Sequence, residues 1–192
     1  LTQTLRGEDS PTLFSLLDTC MTGMGSRQLK QWLLNPPRDR QVAVERLAAL
    51  DQLNDNSAAA QSGMAIWARL REQLKGASDV ERITARIALK QVRPRELVAL
   101  KNALIRSASL SHHLQDTLGH LSPTKLLHDI HVNLQPPVGL TEILQQALLE
   151  EPANLIRDGG VMANGLDAEL DELRAIQTNC DDFSNQLRRL SA

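Results

Sequence analysis

Apolar residues recur along this chain three and four positions apart, and glycine, proline and small polar residues interrupt the runs. That spacing gathers apolar side chains on one face of a helix. Leu13, Leu16 and Leu17 form the first such stripe, with Ser10 and Pro11 ahead of it as N-cap and first-turn proline. Thr22 to Gly25 breaks the pattern; Ser26 restarts it as the next N-cap, with Gly23 or Gly25 capping the end of the helix before. Leu29, Trp32 and Leu33 repeat the stripe until Asn35-Pro36-Pro37, where Pro37 drives Pro36 out of the helical region.

Four more stretches follow the same grammar. Their expected faces are Ala43, Leu47 and Leu50; Met64, Trp67 and Leu74; Val80, Ile83 and Ile87; and Leu97, Leu100 and Leu104. The breaks fall at "NDNS" from Asn54, at "KGAS" from Lys75, with Ser78 or Asp79 as cap, and before Pro94, which opens a helix. Beyond Leu110 the period weakens, predicting one or two short helices and a proline-marked turn before Leu140, Leu144 and Ala147 resume it.

Two places read as extended. Leu1, Gln3 and Leu5 alternate with Thr2, Thr4 and Arg6 up to Gly7, as in a strand, and "LIRDGGVMANG" places short apolar runs around Asp158-Gly159, predicting a tight β-hairpin. After it, Leu173, Cys180 and Leu187 recur every seven residues, as do Ile176, Phe183 and Leu190 three positions on, an a/d seam for another helix. A helix from Asp167 to Ala192 would be about 39 Å long at about 1.5 Å per residue. It carries no stop signal and reads as cut in mid-helix; with the partnerless strand at Leu1, this predicts a segment of a larger protein. The expected fold is therefore all-α: an elongated multi-helix core over 1–165 with a short β-hairpin, and over 166–192 the start of a long helix.

Composition sharpens this picture. Two Phe, two Trp and no Tyr, against abundant Leu, Ala, Gln, Glu and Arg, suit helices. A net charge of -2 gives no overall pull toward nucleic acid. The charge is uneven, however: from Arg69 to Arg106 ten Lys or Arg face Glu72, Asp79, Glu81 and Glu96, while from Asp167 onward six acids face three arginines. Cys20 and Cys180 have no zinc or redox spacing and read as reduced thiols of a cytosolic protein. No apolar run suits a membrane span and no leader precedes the first helix, so a soluble, cytoplasmic protein is expected.

Candidate chemistry is sparse. Gly23-Met24-Gly25 has Gln28 where a dinucleotide loop needs its third glycine, and a helix rather than a strand precedes it; the Walker pattern is also missing. Arg82, Arg86 and Lys90, four apart, form a basic stripe that either meets phosphates or is a solvated face without interleaved aromatics. His128 and His131 flank Asp129 without an evident third metal ligand. Asp167, Glu169, Asp171 and Glu172 fit the first turns of a helix, where its dipole stabilises negative charge; with Asp181 and Asp182 they lack any nucleophile and orienting partner. No catalytic, cofactor-binding or metal residue is assigned.

Four stretches, in order, carry a resemblance: "SPTLFSLLDTCMTGMGSRQLKQWLLNPPRDR", "VERLAAL", "DVERITARIALKQVRPREL" and "LIRDGGVMANGLDAELDELR". Together they are similar to the core, or lever, domain of the bacterial MutS family of DNA mismatch-recognition proteins, over nearly the whole chain. Leu166 departs from the pattern, where many relatives carry an aromatic. The resemblance implies a helical core that couples ATP binding and hydrolysis to mismatched-DNA binding, with the last helix as a lever rising to a clamp domain outside this chain. It implies no enzymatic activity for this segment, ATP and Mg bound elsewhere in the full-length protein, a homodimer, a MutL-type partner and a nucleoid-associated cytoplasmic location. The family's Phe-x-Glu mismatch reader is not matched at Phe14 or Phe183, so no reading residue is carried over. Two alternatives stay open: a free-standing helical nucleic-acid-binding module using Arg82 to Lys90, and a family paralogue acting on branched DNA.

Overall fold

The computed structural model describes residues 1–54, 64–118 and 122–190, the side chains of residue 117 and residues 181–190 excepted. Among these the chain forms nine α-helices: α1 (Leu13–Leu17), α2 (Gly23–Leu34), α3 (Arg40–Leu53), α4 (Ile66–Leu74), α5 (Val80–Ala88), α6 (Pro94–Leu118), α7 (Lys125–Asn133), α8 (Leu140–Ala147) and α9 (Ala168–Leu190). No strand occurs among the described residues, and the fold is mostly helical.

The centre is α6, 25 residues long, against which α4, α5, α7 and α8 all pack, while α3 lies on α7 and α1 on α2. Its length exceeds the expectation of a weakening pattern beyond Leu110, because Leu110, Leu114 and Leu118 continue the stripe by fours and all three are buried. The serines and histidines between them mask that period without removing it. Pro94 opens α6 as expected; the Glu96 carboxylate reaches back to accept from the Arg93 N–H at 2.8 Å, one half of a capping box.

Ala49, Leu114, Leu118 and Leu127 form a core cluster with Leu53, Leu70 and Leu126 packed against it, so α3, α6 and α7 meet there. Ile66 is the most deeply covered large aliphatic side chain. In α3 and α4 the expected faces are corrected: Ala49 rather than Leu47 or Leu50, and Ile66 rather than Trp67, turn into the core. Each helix has apolar residues on more than one side, and periodicity cannot say which side meets a neighbour within this chain. In α5 and α6 the expected Ile83 and Leu100 are buried.

Helix starts follow their caps more closely than their glycines. Thr12, not Ser10, caps α1: its hydroxyl accepts from the Ser15 N–H at 3.1 Å while Ser15 Oγ accepts from the Thr12 N–H at 2.9 Å. Asp79 caps α5, accepting from the Arg82 N–H at 3.3 Å, and α2 stops at Leu34 before the two prolines. At Leu1 to Arg6 there is no strand; the Thr4 N–H donates to Glu8 O and the Gly7 N–H to Thr4 O, a tight turn. The break from Asn54 is visible only at Asn54, which caps α3; Asp55, Asn56 and Ser57 lie outside the described residues.

The end of α5 closes as a Schellman motif: the Gln91 N–H donates to Arg86 O at 2.8 Å and the Lys90 N–H to Ile87 O at 2.9 Å. The left-handed position, usually glycine, is occupied by Lys90 with φ of 55°. Lys90→Gly is therefore expected to raise stability by about 0.5–1 kcal/mol. Thermal unfolding would read this as a rise of roughly 1–4 °C; a fall would mean that the Lys90 side chain contributes more than its backbone strain costs.

Candidate functional site

At the Gly23–Ser26 joint, α2 begins at Gly23 and its N-cap is Thr22, whose hydroxyl accepts from the Gly25 N–H at 3.1 Å. Ser26, expected to be the cap, instead donates through Oγ to Asp18 Oδ1 at 3.0 Å, and the Cys20 N–H donates to the same oxygen at 3.2 Å. A side chain at Gly25 would come within 3.3 Å of Cys20 Cβ and 3.2 Å of Thr22 Oγ1, so this glycine permits close packing of the joint. Partial desolvation pushes the Asp18 carboxyl up, but the bonds from Ser26 and Cys20 outweigh it, and it lies below the usual carboxylate range. Desolvation and the neighbouring Asp18 push the Cys20 thiol up, away from the thiolate a nucleophile needs. The Gly25 N–H is already taken by Thr22 and the Ser26 hydroxyl by the Asp18 carboxylate, so the joint does not offer a phosphate these donors.

The joint is tied to the rest of the molecule by Arg27. Its guanidinium forks onto Asp79, Nη1 to Oδ2 and Nη2 to Oδ1 both at 2.8 Å, and its Nε donates to Glu81 Oε2 at 3.1 Å. Asp79 thus caps α5 and grips α2 at once. Arg71 adds a second tie from α4, donating to Thr19 O at 2.9 Å.

The Arg27 fork holds the Asp79 carboxyl below its ordinary value, with the Arg82 N–H helping. A carboxylate depressed in the folded state adds stability above its unfolded pKa of about 4 and loses it as pH falls through the folded value. Glu96 is depressed likewise, by the Arg93 N–H and by Arg86, and acts in the same direction. Stability is therefore expected to drop below about pH 4. Asp79→Asn should flatten that drop while lowering the neutral-pH plateau, as urea titrations across pH would show; an unchanged slope would remove Asp79 from the account.

The expected basic stripe is largely spoken for. Arg82 Nε lies 3.4 Å from Asp79 Oδ2, Arg86 bonds Glu96, and Lys90 is past the end of α5 rather than on its face. Of the two histidines, His131 has a structural place: its Nδ1 lies 2.9 Å from Ser111 Oγ and 3.1 Å from Ser111 O, and Ser111 Oγ donates to His131 O at 3.0 Å, fastening α7 to α6, while His128 is exposed. No group of three or more His, Cys, Asp or Glu fit for a metal occurs among the described residues.

What stands out is the root of α9. The predicted hairpin is replaced by an isolated antiparallel bridge, Leu148 with Met162, and a 3₁₀ turn at Ile156–Asp158. Six residues from Leu155 to Gly160, including that turn and the positive-φ Gly159 and Gly160, leave too little extended chain for a ladder. The Ala163 N–H donates to Ala147 O at 2.9 Å and the Leu149 N–H to Val161 O at 3.1 Å, joining residues 161–163 to the end of α8.

From there side chains take over. Arg174, on the second turn of α9, donates to Met162 O and Asn164 Oδ1, both at 3.0 Å. Asp171 Oδ2 accepts from the Gly165 N–H at 2.6 Å, and Asp167 Oδ1 accepts from the Leu170 N–H at 3.0 Å as the N-cap. The early acids of α9 thus include two that fix where the helix starts. The sequence showed Asp171 only as an acid near the helix start, and nothing in the spacing pointed Arg174 to Met162 or Asn164.

Beyond this root, α9 presents its heptad positions to solvent: Leu173 is 58% and Ile176 53% exposed, and Cys180 is exposed too. Phe183, Leu187 and Leu190, like Asp181 and Asp182, have side chains outside the described residues. Val44, Leu47 and Leu50 on α3 are likewise more than half exposed. Exposed apolar faces of this kind are surfaces that can take part in further packing.

The molecule is therefore a helical domain whose last helix is fastened at its start by side-chain bonds. The family model for MutS domain III matches residues 1–192, the whole chain, and the chain belongs to that family. This makes it a core segment of the mismatch-repair type, and none of its helices among the described residues is long and apolar enough to cross a membrane.

Proposed function

We propose that this domain, within its full-length protein, couples ATP binding and hydrolysis at a distant site to the engagement of mismatched DNA, with α9 as the lever. The observation that carries the reading is the continuous bonded path from the end of α8 through residues 161–165 to Arg174, combined with the exposed seam on the helix that this path holds. A rigid root lets a displacement at one end reach the other, and the seam offers a partner helix a place to act. The chain itself performs no chemistry: ATP and Mg would be held by another part of the protein, clamp and DNA contacts would lie beyond α9, and residues 1–165 would serve as the core. A homodimer, a MutL-type partner and a cytoplasmic, nucleoid-associated location belong to the same reading.

The coding frame on both sides of this segment tests it. A Phe-x-Glu element upstream and G-x-x-x-x-G-K-[ST] downstream are the expected result. The ATPase motif without Phe-x-Glu would turn the reading toward a paralogue that acts on branched DNA, and absence of the ATPase motif would overturn coupling.

A further inference from the structure

At the corner between α5 and α6 the chain forms an open groove of about 550 Å³. One wall is residues 91–94 and the other residues 154–157. Buried Pro94, with Val92 and Leu155, gives it an apolar lining, and Ile156, 73% exposed, stands at its side. Each wall carries one guanidinium, Arg93 and Arg157.

Neither charge is fully answered. Arg93 must share Glu96 with Arg86, which already bonds that carboxylate, and Arg157 is 82% exposed with Asp158 no nearer than 3.7 Å. Asn154, also on the second wall, makes no side-chain bond among the described residues; its amide is free both to donate and to accept. These features match an extended polypeptide: apolar side chains on the lining, backbone amides against Asn154, and flanking carboxylates on the two arginines.

We propose that this groove is a docking site for an acidic segment of another protein, in which aliphatic residues alternate with aspartate or glutamate. Charge complementarity argues for that occupant. A nucleic acid is less well served, because Arg82 and Arg86 are engaged by carboxylates, no aromatic lines the groove and its lining is apolar. The inference does not depend on the lever reading, since none of the groove's lining residues makes the bonds that fasten α9.

The test uses the 192-residue chain and a short fluorescein-labelled peptide alternating aspartate with leucine and isoleucine. Fluorescence anisotropy is expected to rise saturably. Affinity should fall at least about tenfold in Arg93→Glu/Arg157→Glu, fall with added salt, and be lost when asparagine replaces aspartate in the peptide. Both side chains lie outside the core, so circular dichroism should find the variant folded; Arg157→Glu alone supplies a second, milder variant with an intermediate loss. No binding, or binding indifferent to these substitutions, would overturn the proposal. So would tighter binding of a duplex oligonucleotide lost in the same variant, or concentration-dependent self-association abolished by it, which would make a second copy the occupant.

Discussion

Leu114→Ala is expected to destabilise the chain by about 2–5 kcal/mol, lowering the thermal midpoint by roughly 4–20 °C. Leu114 is 3% exposed and touches the cluster that joins α3, α6 and α7. The size of the loss follows from two terms, the transfer energy of the removed carbons and the void left among Ala49, Leu118 and Leu127. A partly open pocket of about 270 Å³, lined by Leu118, Pro123 and Leu127 among others, already lies beside Leu114, so truncation would widen it. Chemical denaturation measures the cost. A loss below about 1 kcal/mol would show that the cluster is not the main core.

Leu173→Asp is expected to do the opposite: little to the isolated chain and much to the full-length protein. Leu173 is 58% exposed, so the substitution removes less than half of a leucine's burial and, with the lost helix propensity, costs about 1–2 kcal/mol. On the proposed lever reading the same position, in the full-length protein, would lie in an a/d seam, where a buried, unpaired carboxylate would disrupt the helix pairing. Stimulation of ATP hydrolysis by mismatched duplex should then fall by at least about fivefold while basal hydrolysis persists. Stimulation as large as in the parent protein would mean that the seam transmits nothing.

These contrasts show where sequence reasoning reached and where it stopped. Helix existence was readable because Leu13, Val80, Pro94 and Leu140 each begin a clean period between recognisable breaks, and the cap at Asp79 and the first-turn Pro94 follow from local bonding. Which face of a helix turns inward was not, as Leu47 and Trp67 illustrate: each lies on an expected apolar stripe, yet Leu47 is 61% and Trp67 47% exposed. The strand expected at Leu1 failed because alternation over so few residues also suits a turn, and nothing local signals a partner for pairing. Long-range side-chain bonds were the least legible. Arg27 meets Asp79 across more than fifty positions, and Arg174 reaches back to Met162 past the start of its own helix. Periodicity carries no information about either.

The central claim is that core and lever act as one body because Arg174 fastens the root of α9, and Arg174→Ala tests it most directly. In the full-length protein, ATP hydrolysis would be measured with and without mismatched duplex. The account predicts near-parental basal hydrolysis, with stimulation by the mismatched duplex reduced at least about fivefold. Folding of the variant would be checked by thermal unfolding, since Arg174 lies outside the core cluster. Full stimulation in a folded Arg174→Ala protein would contradict the claim that this root carries the coupling.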